Sequence, residues 1–196
     1  ITPAQLALDP CSGSCVVADT DTGEILALVS YPGYDSNKLA NNVDAEYFNS
    51  LQNDKSLPQY NYATQQGTAP GSTFKMVMAT AGLSEKYITI GERIRDLGQY
   101  ENISNKPKCW IFSNGGTHGE INVSEALRDS CNYYFYEVGY HLSTNNYTTS
   151  YNDELGISKI QEYASMFGLD EKTGIEIEEA EPRIADEFPV MAAIGQ

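Results

Sequence analysis

The segment GTAPGSTFKMVMATAGL, residues 67–83, limits the possible folds more than any other part of the chain. A Gly/Pro turn is followed there at once by apolar residues with helical spacing. Most of these side chains lie on one helical face: Phe74, Val77, Met78, Ala81 and Leu83. Because such a face must be buried, we predict a buried helix, with Ser72 held at its tip by the sharp turn.

Composition describes a globular chain and excludes several classes of protein. Its 196 residues suit one domain, or one domain plus a piece, and 41% of them are hydrophobic. A formal net charge of −15 repels phosphates, so we expect no nucleic-acid partner. No apolar stretch approaches the roughly 20 residues of a membrane span. Since the first residue is not Met, we expect a piece of a longer protein, with any anchor upstream.

Local patterns predict the remaining elements. Asp, Thr and Gly between two apolar runs indicate a hairpin over residues 14–30. Helices are expected at 42–54, at 122–142 with either a break or a continuation after Asp129, and from 155 to Gly168. Short strands are expected around Trp110. The segment KTGIEIEEAEP, residues 172–182, alternates like a strand before it reaches acids and a proline.

The cysteines give no clear metal signature. The pair Cys11 and Cys15 could bind a metal ion, but Cys109 and Cys131 form no second close pair. His118 and His141 are isolated in the sequence. We therefore expect small buried cysteines or one disulfide, and neither a metal site nor a cofactor.

Ser72 and Lys75 have a spacing that suits acyl transfer. Residues i and i+3 share a helical face, so the hydroxyl and the amine can come within hydrogen-bond range. A neutral lysine can take the serine proton, and burial favours that neutral state. The alternative is that Ser-x-x-Lys arises by chance, with Ser72 as a plain helix cap.

A second candidate element, Ser130-Cys131-Asn132, follows the predicted helix VSEALRD. There the Ser130 hydroxyl could relay a proton, and the Asn132 amide could hydrogen-bond a substrate. The alternative is an ordinary loop between two helices, because Ser-x-Asn alone is weak evidence.

Several segments together resemble the penicillin-binding protein transpeptidase domain, in that family's order and over almost the whole chain. They are GEILALVSYPGYDSNKL, YATQQGTAPGSTFK, CWIFSNGGTHGEINVSEALRDSCNYYFYEVG, FGLDEKTGIEI and AAIGQ. The style is closest to the monofunctional, class B type. The resemblance implies an α+β fold with a helical subdomain, and one incomplete transpeptidase domain over residues 1–196.

The same resemblance implies roles for four residues. Ser72 would be the nucleophile that attacks the D-Ala-D-Ala bond of a peptidoglycan stem peptide, and Lys75 would be its base. Ser130 would pass the proton towards the leaving amine, and Asn132 would orient the substrate or a β-lactam. Such a domain would work with the cell-wall synthesis machinery, on the extracytoplasmic face of the bacterial cytoplasmic membrane.

The sequence also contains Lys172-Thr173-Gly174, which we do not assign to the catalytic Lys-Thr-Gly of the family. That motif lies on an inner strand downstream of AIGQ, whereas here Ile175 and a run of acids follow it. We therefore expect the later strands of the sheet to be missing from this chain, and the chain alone to be inactive or weakly active. The alternatives are a serine β-lactamase, a β-lactam sensor and a non-catalytic cell-wall scaffold.

Overall fold

The computed structural model describes residues 12–144 and 150–196, so Cys11 lies outside the described residues. Within these ranges, no helix is long and apolar enough to cross a membrane. Helices combine with two small antiparallel sheets, which confirms the predicted α+β class.

Contacts within the chain define two compact units. The first comprises residues 1–67 and 173–180, and the second comprises residues 68–172 and 181–196. Both Ser72 and Asn132 belong to the second unit, which therefore holds the candidate site.

The first unit contains the predicted hairpin. Strands β1 (Gly13–Ala18) and β2 (Ile25–Tyr31) pair antiparallel. The turn forms because the Asp19 carboxylate accepts hydrogen bonds from the backbone N–H groups of Asp21 and Thr22, at 2.9 and 2.8 Å.

Two helices accompany the hairpin in this unit. Helix α1 (Ala45–Asn53) is capped by the Asp44 carboxylate, and it confirms the short helix expected there. Helix α2 (Tyr62–Gln65) contacts both strands. The backbone N–H of Ala180 donates to the Thr64 carbonyl at 2.8 Å, so the segment 173–180 is joined to this unit.

The second unit is largely helical, and α3 contacts three of its other helices. Its helices are α3 (Lys75–Ser84), α4 (Val123–Arg128), α5 (Asn132–Leu142), α6 (Asp153–Met166) and α7 (Pro189–Ala192). Met78 and Ala81 of α3 are fully buried, as the apolar periodicity predicts. The turn Gly71–Phe74 is a 3₁₀ helix, so the α-helix begins at Lys75 and not at Ser72.

The second unit also contains a two-stranded sheet. Strands β3 (Ile94–Asp96) and β4 (Gly119–Ile121) pair antiparallel on either side of Trp110 in the sequence. The strands lie on both sides of Trp110 and do not include it, because residues Trp110–Asn114 form a 3₁₀ helix that ends at Gly115 in the left-handed conformation.

Of the two alternatives expected after Asp129, the junction of α4 and α5 shows the break. A capping box starts α4, with the Asn122 side chain accepting from the Glu125 N–H and the Glu125 carboxylate accepting from the Asn122 N–H. The helix stops at Arg128, and α5 begins only after Cys131. Ser130 and Asn132 are therefore presented at a helix junction.

Candidate active site

Ser72, Lys75, Ser130 and Asn132 come together in one hydrogen-bonded group. The Ser130 hydroxyl donates to Ser72 Oγ at 2.8 Å. Lys75 Nζ donates to Ser130 Oγ at 3.1 Å and to Asn132 Oδ1 at 2.6 Å. The two motifs that the sequence separates by more than fifty positions thus form one site.

The expected direct pair between Ser72 and Lys75 does not form. Among the hydrogen bonds of the described residues, none joins Ser72 Oγ to Lys75 Nζ. An ammonium group has three donors, and Lys75 directs them to the Ser130 carbonyl (2.9 Å), the Ser130 hydroxyl and the Asn132 amide oxygen. Ser130 therefore bridges Ser72 and the amine.

Burial changes the acidity of Lys75. Only 1% of this residue is exposed, and its Nζ lies 5.7 Å from the centre of the Phe135 ring. Burial lowers the pKa of Lys75 to about 8, although the nearby Cys131 and Cys109 oppose the shift. At pH 7 about a tenth of the amine is then neutral and able to accept a proton.

Ser130 has an unusual backbone conformation. Its φ of +51° lies in the left-handed region, which a residue with a side chain adopts at a cost of about 1–2 kcal/mol. This is the position after a helix end where glycine is preferred, and Cys131 N–H closes the turn on the Ala126 carbonyl at 2.9 Å. The strained turn directs the Ser130 hydroxyl to Ser72.

Residues near the end of the chain hold the turn before Ser72. The Gly71 N–H donates to the Gly195 carbonyl at 3.0 Å. Gly195 has a φ of +76°, and a Cβ there would overlap the backbone of Gly71. Segment AAIGQ therefore positions the turn before Ser72, a role that its sequence alone does not indicate.

Next to this site lies a cluster of potential metal ligands: Asp96, Cys109, His118 and Cys131. Their ligand atoms all lie within 4.8 Å of one another, and the side chains of Asp96 and His118 are 1% and 5% exposed. His118 has no other potential ligand near it in the sequence, but the fold brings it to Asp96 and the two cysteines, and the absence of a metal site stays a prediction. Each ligand comes from a different turn or strand end, so no sequence spacing reveals the set.

The two sulfurs of the cluster have the spacing of zinc ligands, whereas the other two ligand atoms do not. Asp96 Oδ2 and His118 Nδ1 are hydrogen-bonded at 2.7 Å, closer than the roughly 3.3 Å between two tetrahedral zinc ligands on bonds of about 2.0 Å. Two ligands on tetrahedral zinc–sulfur bonds of about 2.3 Å lie roughly 3.8 Å apart, and the sulfurs of Cys109 and Cys131 are 3.9 Å apart. Both cysteines are free, so the disulfide considered for this chain does not join them. A bound ion would serve here as a structural link, because Cys131 lies between Ser130 and Asn132.

Hydrogen bonding favours the charged form of two of the four potential ligands, Cys109 and Asp96. The hydrogen bond between the two thiols lowers the pKa of Cys109 and raises the pKa of Cys131. Burial would raise the pKa of Asp96, but the backbone N–H groups of His118 and Gly98 and the His118 ring hold it below its usual range.

Residues Lys172–Gly174 lie in a loop. Lys172 forms an ion pair with Glu181, and the Thr173 hydroxyl donates to Glu179 at 2.8 Å. The strand suggested by the alternation of residues 172–182 is wrong, because the acidic side chains satisfy this loop locally and no described residue of it joins a sheet. That this Lys-Thr-Gly is not catalytic stays a prediction.

Comparison with known families agrees with this fold and site. The family described as penicillin binding protein transpeptidase domain matches residues 13–193. The peptidoglycan D,D-transpeptidase MrdA of Haemophilus influenzae is 33% identical over 172 residues, which are 88% of this chain and 24% of that protein. The chain therefore belongs to the penicillin-binding protein transpeptidase domain family, and it spans about a quarter of that relative's length.

Solved structures show the same similarity. Penicillin-binding protein PBP2 from Helicobacter pylori matches 98% of this chain with a TM-score of 0.82 and 25% identity, over 37% of its own chain. That protein has also been solved in a complex with MreC. The ceftriaxone acyl-enzyme of penicillin-binding protein A from M. tuberculosis matches 95% of this chain with a TM-score of 0.76 and 27% identity, over 41% of its own chain.

Replacing Ser130 tests whether its backbone is strained. Both Ser130→Gly and Ser130→Ala remove the hydroxyl, but only glycine adopts a positive φ without cost. We expect the glycine variant to be more stable than the alanine variant by about 1 kcal/mol in urea unfolding. Equal stabilities of the two variants would contradict the strain.

Elemental analysis tests the ligand cluster. We expect about one zinc ion per chain after purification without chelators, and loss of most of it in Cys109→Ala. Cys15→Ala, which removes an exposed cysteine outside the cluster, is the matched control and should keep the metal. Equal metal content in wild type and Cys109→Ala would exclude this site.

Proposed function

We propose that this chain supplies the serine–lysine part of a peptidoglycan D,D-transpeptidase site that β-lactams acylate. Ser72 is the nucleophile, Lys75 its base, Ser130 the proton relay and Asn132 a substrate-orienting residue. The observation that carries the proposal is the hydrogen-bonded path from Ser72 through Ser130 to a buried amine. Membership of the family and the names of its relatives support it.

The path describes how a proton can leave Ser72. When Lys75 is neutral, the Ser130 hydroxyl donates to it and accepts from Ser72, because hydroxyl protons rotate to suit their partners. Ser72 Oγ then attacks the carbonyl of the penultimate D-Ala, its proton moves to Ser130, and the Ser130 proton moves to Lys75. One C–O bond forms, and a tetrahedral intermediate holds the negative charge.

Collapse of this intermediate needs the reverse transfer. The C–N bond to the terminal D-Ala breaks, and Ser130 gives the leaving amine a proton that Lys75 restores. The product is an ester on Ser72, which the amine of a second stem peptide then attacks. With a β-lactam the leaving nitrogen stays attached to the acyl group, so the ester persists.

Asn132 and the helix terminus can hold the substrate. The Asn132 oxygen accepts from Lys75, which leaves its amide N–H₂ group to donate to a substrate carbonyl. Ser72 lies in the first turn of a helical segment, where backbone N–H groups have no partner within the helix. Its N–H is therefore one donor of an oxyanion hole.

A wider role follows from the same proposal. Peptidoglycan stem peptides would be the substrates, on the extracytoplasmic face of the bacterial cytoplasmic membrane. The complex of the H. pylori relative with MreC supports a partnership with the cell-wall synthesis machinery. We also propose that residues beyond AIGQ complete the site. Residues 1–196 alone would then react with a penicillin weakly or not at all.

Labelling with a fluorescent penicillin tests the nucleophile. In the natural protein that carries these residues, we expect a stable adduct that mass spectrometry places on Ser72. The adduct should disappear in Ser72→Ala and persist in Ser84→Ala, which changes an exposed serine at the end of the same helix.

The alternatives give different outcomes in that experiment. Rapid release of the label would favour a serine β-lactamase over a transpeptidase. Absence of any adduct would refute acyl transfer and favour a non-catalytic cell-wall scaffold. Stable, stoichiometric labelling of residues 1–196 alone would contradict the need for residues beyond AIGQ.

The pH dependence of acylation tests the role of Lys75. Because only the neutral amine accepts a proton, the acylation rate constant should rise about tenfold per pH unit below about 8 and level off above it. Arginine stays charged in this range, so Lys75→Arg should lose the reaction. His141→Gln, which removes a titrating group outside the site, should keep the profile, and a flat profile from pH 6 to 9 would refute the assignment.

A further inference from the structure

Trp110 is the single tryptophan of the chain, and it contacts the backbone of the Ser-x-Asn motif. Its indole Nε1–H points at two neighbouring carbonyls, at 3.1 Å from the Ser130 oxygen and 3.3 Å from the Asp129 oxygen. Among the residues the structure describes, it is thus one of two side chains that donate to the Ser130 carbonyl. The other is Lys75, at 2.9 Å.

These two donors use the full accepting capacity of the Ser130 carbonyl. A carbonyl oxygen has two lone pairs, and here the Lys75 ammonium takes one and the Trp110 indole takes the other. The peptide group between Ser130 and Cys131 is thereby held in one orientation. That peptide group follows the residue with a φ of +51°, which needs such external support.

The orientation of this peptide matters for the Ser130 hydroxyl. Its Oγ must lie between Ser72 and Lys75, at 2.8 and 3.1 Å, for a proton to pass along the path. A small rotation of the peptide towards a relaxed conformation would move Cβ and break one of these two bonds. A residue that holds the carbonyl therefore also sets the position of the relay.

Core packing does not account for Trp110. The residue is 51% exposed, and it starts the 3₁₀ helix Trp110–Asn114. Its ring meets the His118 ring edge to face, with centroids 5.6 Å apart, and His118 is itself held by Asp96 at 2.7 Å. The indole is thus fixed on one side and open to solvent on the other.

We propose that Trp110 is a positioning residue for acylation, whose indole N–H holds the Ser130 carbonyl and so keeps the Ser130 hydroxyl between Ser72 and Lys75. The inference rests on the proposed function, because it assumes that Ser130 relays the proton. It assigns the role to the N–H group and not to the aromatic surface. The two can be separated, since phenylalanine retains an aromatic ring and lacks the donor.

The test is stopped-flow acylation of the natural protein by a penicillin, resolved into the dissociation constant of the first complex and the acylation rate constant. Loss of one hydrogen bond should lower the rate constant of Trp110→Phe roughly fivefold, with an unchanged dissociation constant and a melting temperature lowered by about 4 °C at most. Trp110→Ala should show at least the same loss of rate. Phe167→Ala is the control, because Phe167 is also 51% exposed but lies outside the site.

Each outcome separates the alternatives. An unchanged rate constant in Trp110→Phe would overturn the proposal, and a weaker first complex in Trp110→Ala alone would then assign the ring to substrate contact. Absence of acylation in the wild type would instead refute the proposed function. If the variants do not fold, the rate of hydrogen exchange of the Trp110 indole N–H with solvent is measured in the wild type. Exchange as fast as in free indole would show that the hydrogen bond is absent and would overturn the proposal.

Discussion

The three hydrogen bonds of the Lys75 ammonium group are the interaction on which the site depends. They join helix α3 to the junction of α4 and α5, because their acceptors are Ser130 and Asn132. A buried charged group needs an acceptor for each of its hydrogen-bond donors. The junction of α4 and α5 therefore packs against the Lys75 amine, whose position is set by α3. Ser72 lies one turn before the amine, which brings the Ser130 hydroxyl to the Ser72 hydroxyl.

This arrangement opposes stability. Lowering the pKa of Lys75 from 10.5 to about 8 corresponds to roughly 3 kcal/mol against the folded state at neutral pH. The sign follows from proton binding: between pH 8 and 10.5 the unfolded chain binds more protons, so stability rises with pH across that window. The left-handed backbone conformation of Ser130 is a second cost to the stability of the folded state. Packing elsewhere in the second unit offsets both costs, for example where Gly139 of α5 lets Ala193 approach to van der Waals contact.

Local sequence chemistry was sufficient to predict the elements that short-range interactions determine. The Asp19 turn defines the hairpin, and the Asn122 capping box defines the start of α4. The wrong expectations at the candidate site depend on contacts distant in sequence, whereas the strand suggested at residues 172–182 fails because of local contacts of its acidic side chains. The i, i+3 spacing brings Ser72 near Lys75, but it cannot show that Ser130 offers the amine better acceptors. The cluster of Asp96 and His118 with two cysteines is equally invisible, because it forms only when β3, β4 and α5 meet.

The middle residue of the Ser-x-Asn motif links these observations. The side chains of Ser130 and Asn132 bond to Lys75, whereas Cys131 caps α5 by accepting from the Tyr134 N–H and joins the ligand cluster. Ser130 and Asn132 thus belong to the candidate site, and Cys131 between them belongs to the structure that supports it. Trp110 contacts both sides, through the Ser130 carbonyl and the His118 ring. The geometry of the relay is therefore a property of the cluster, the indole and the amine together, and not of the motif alone.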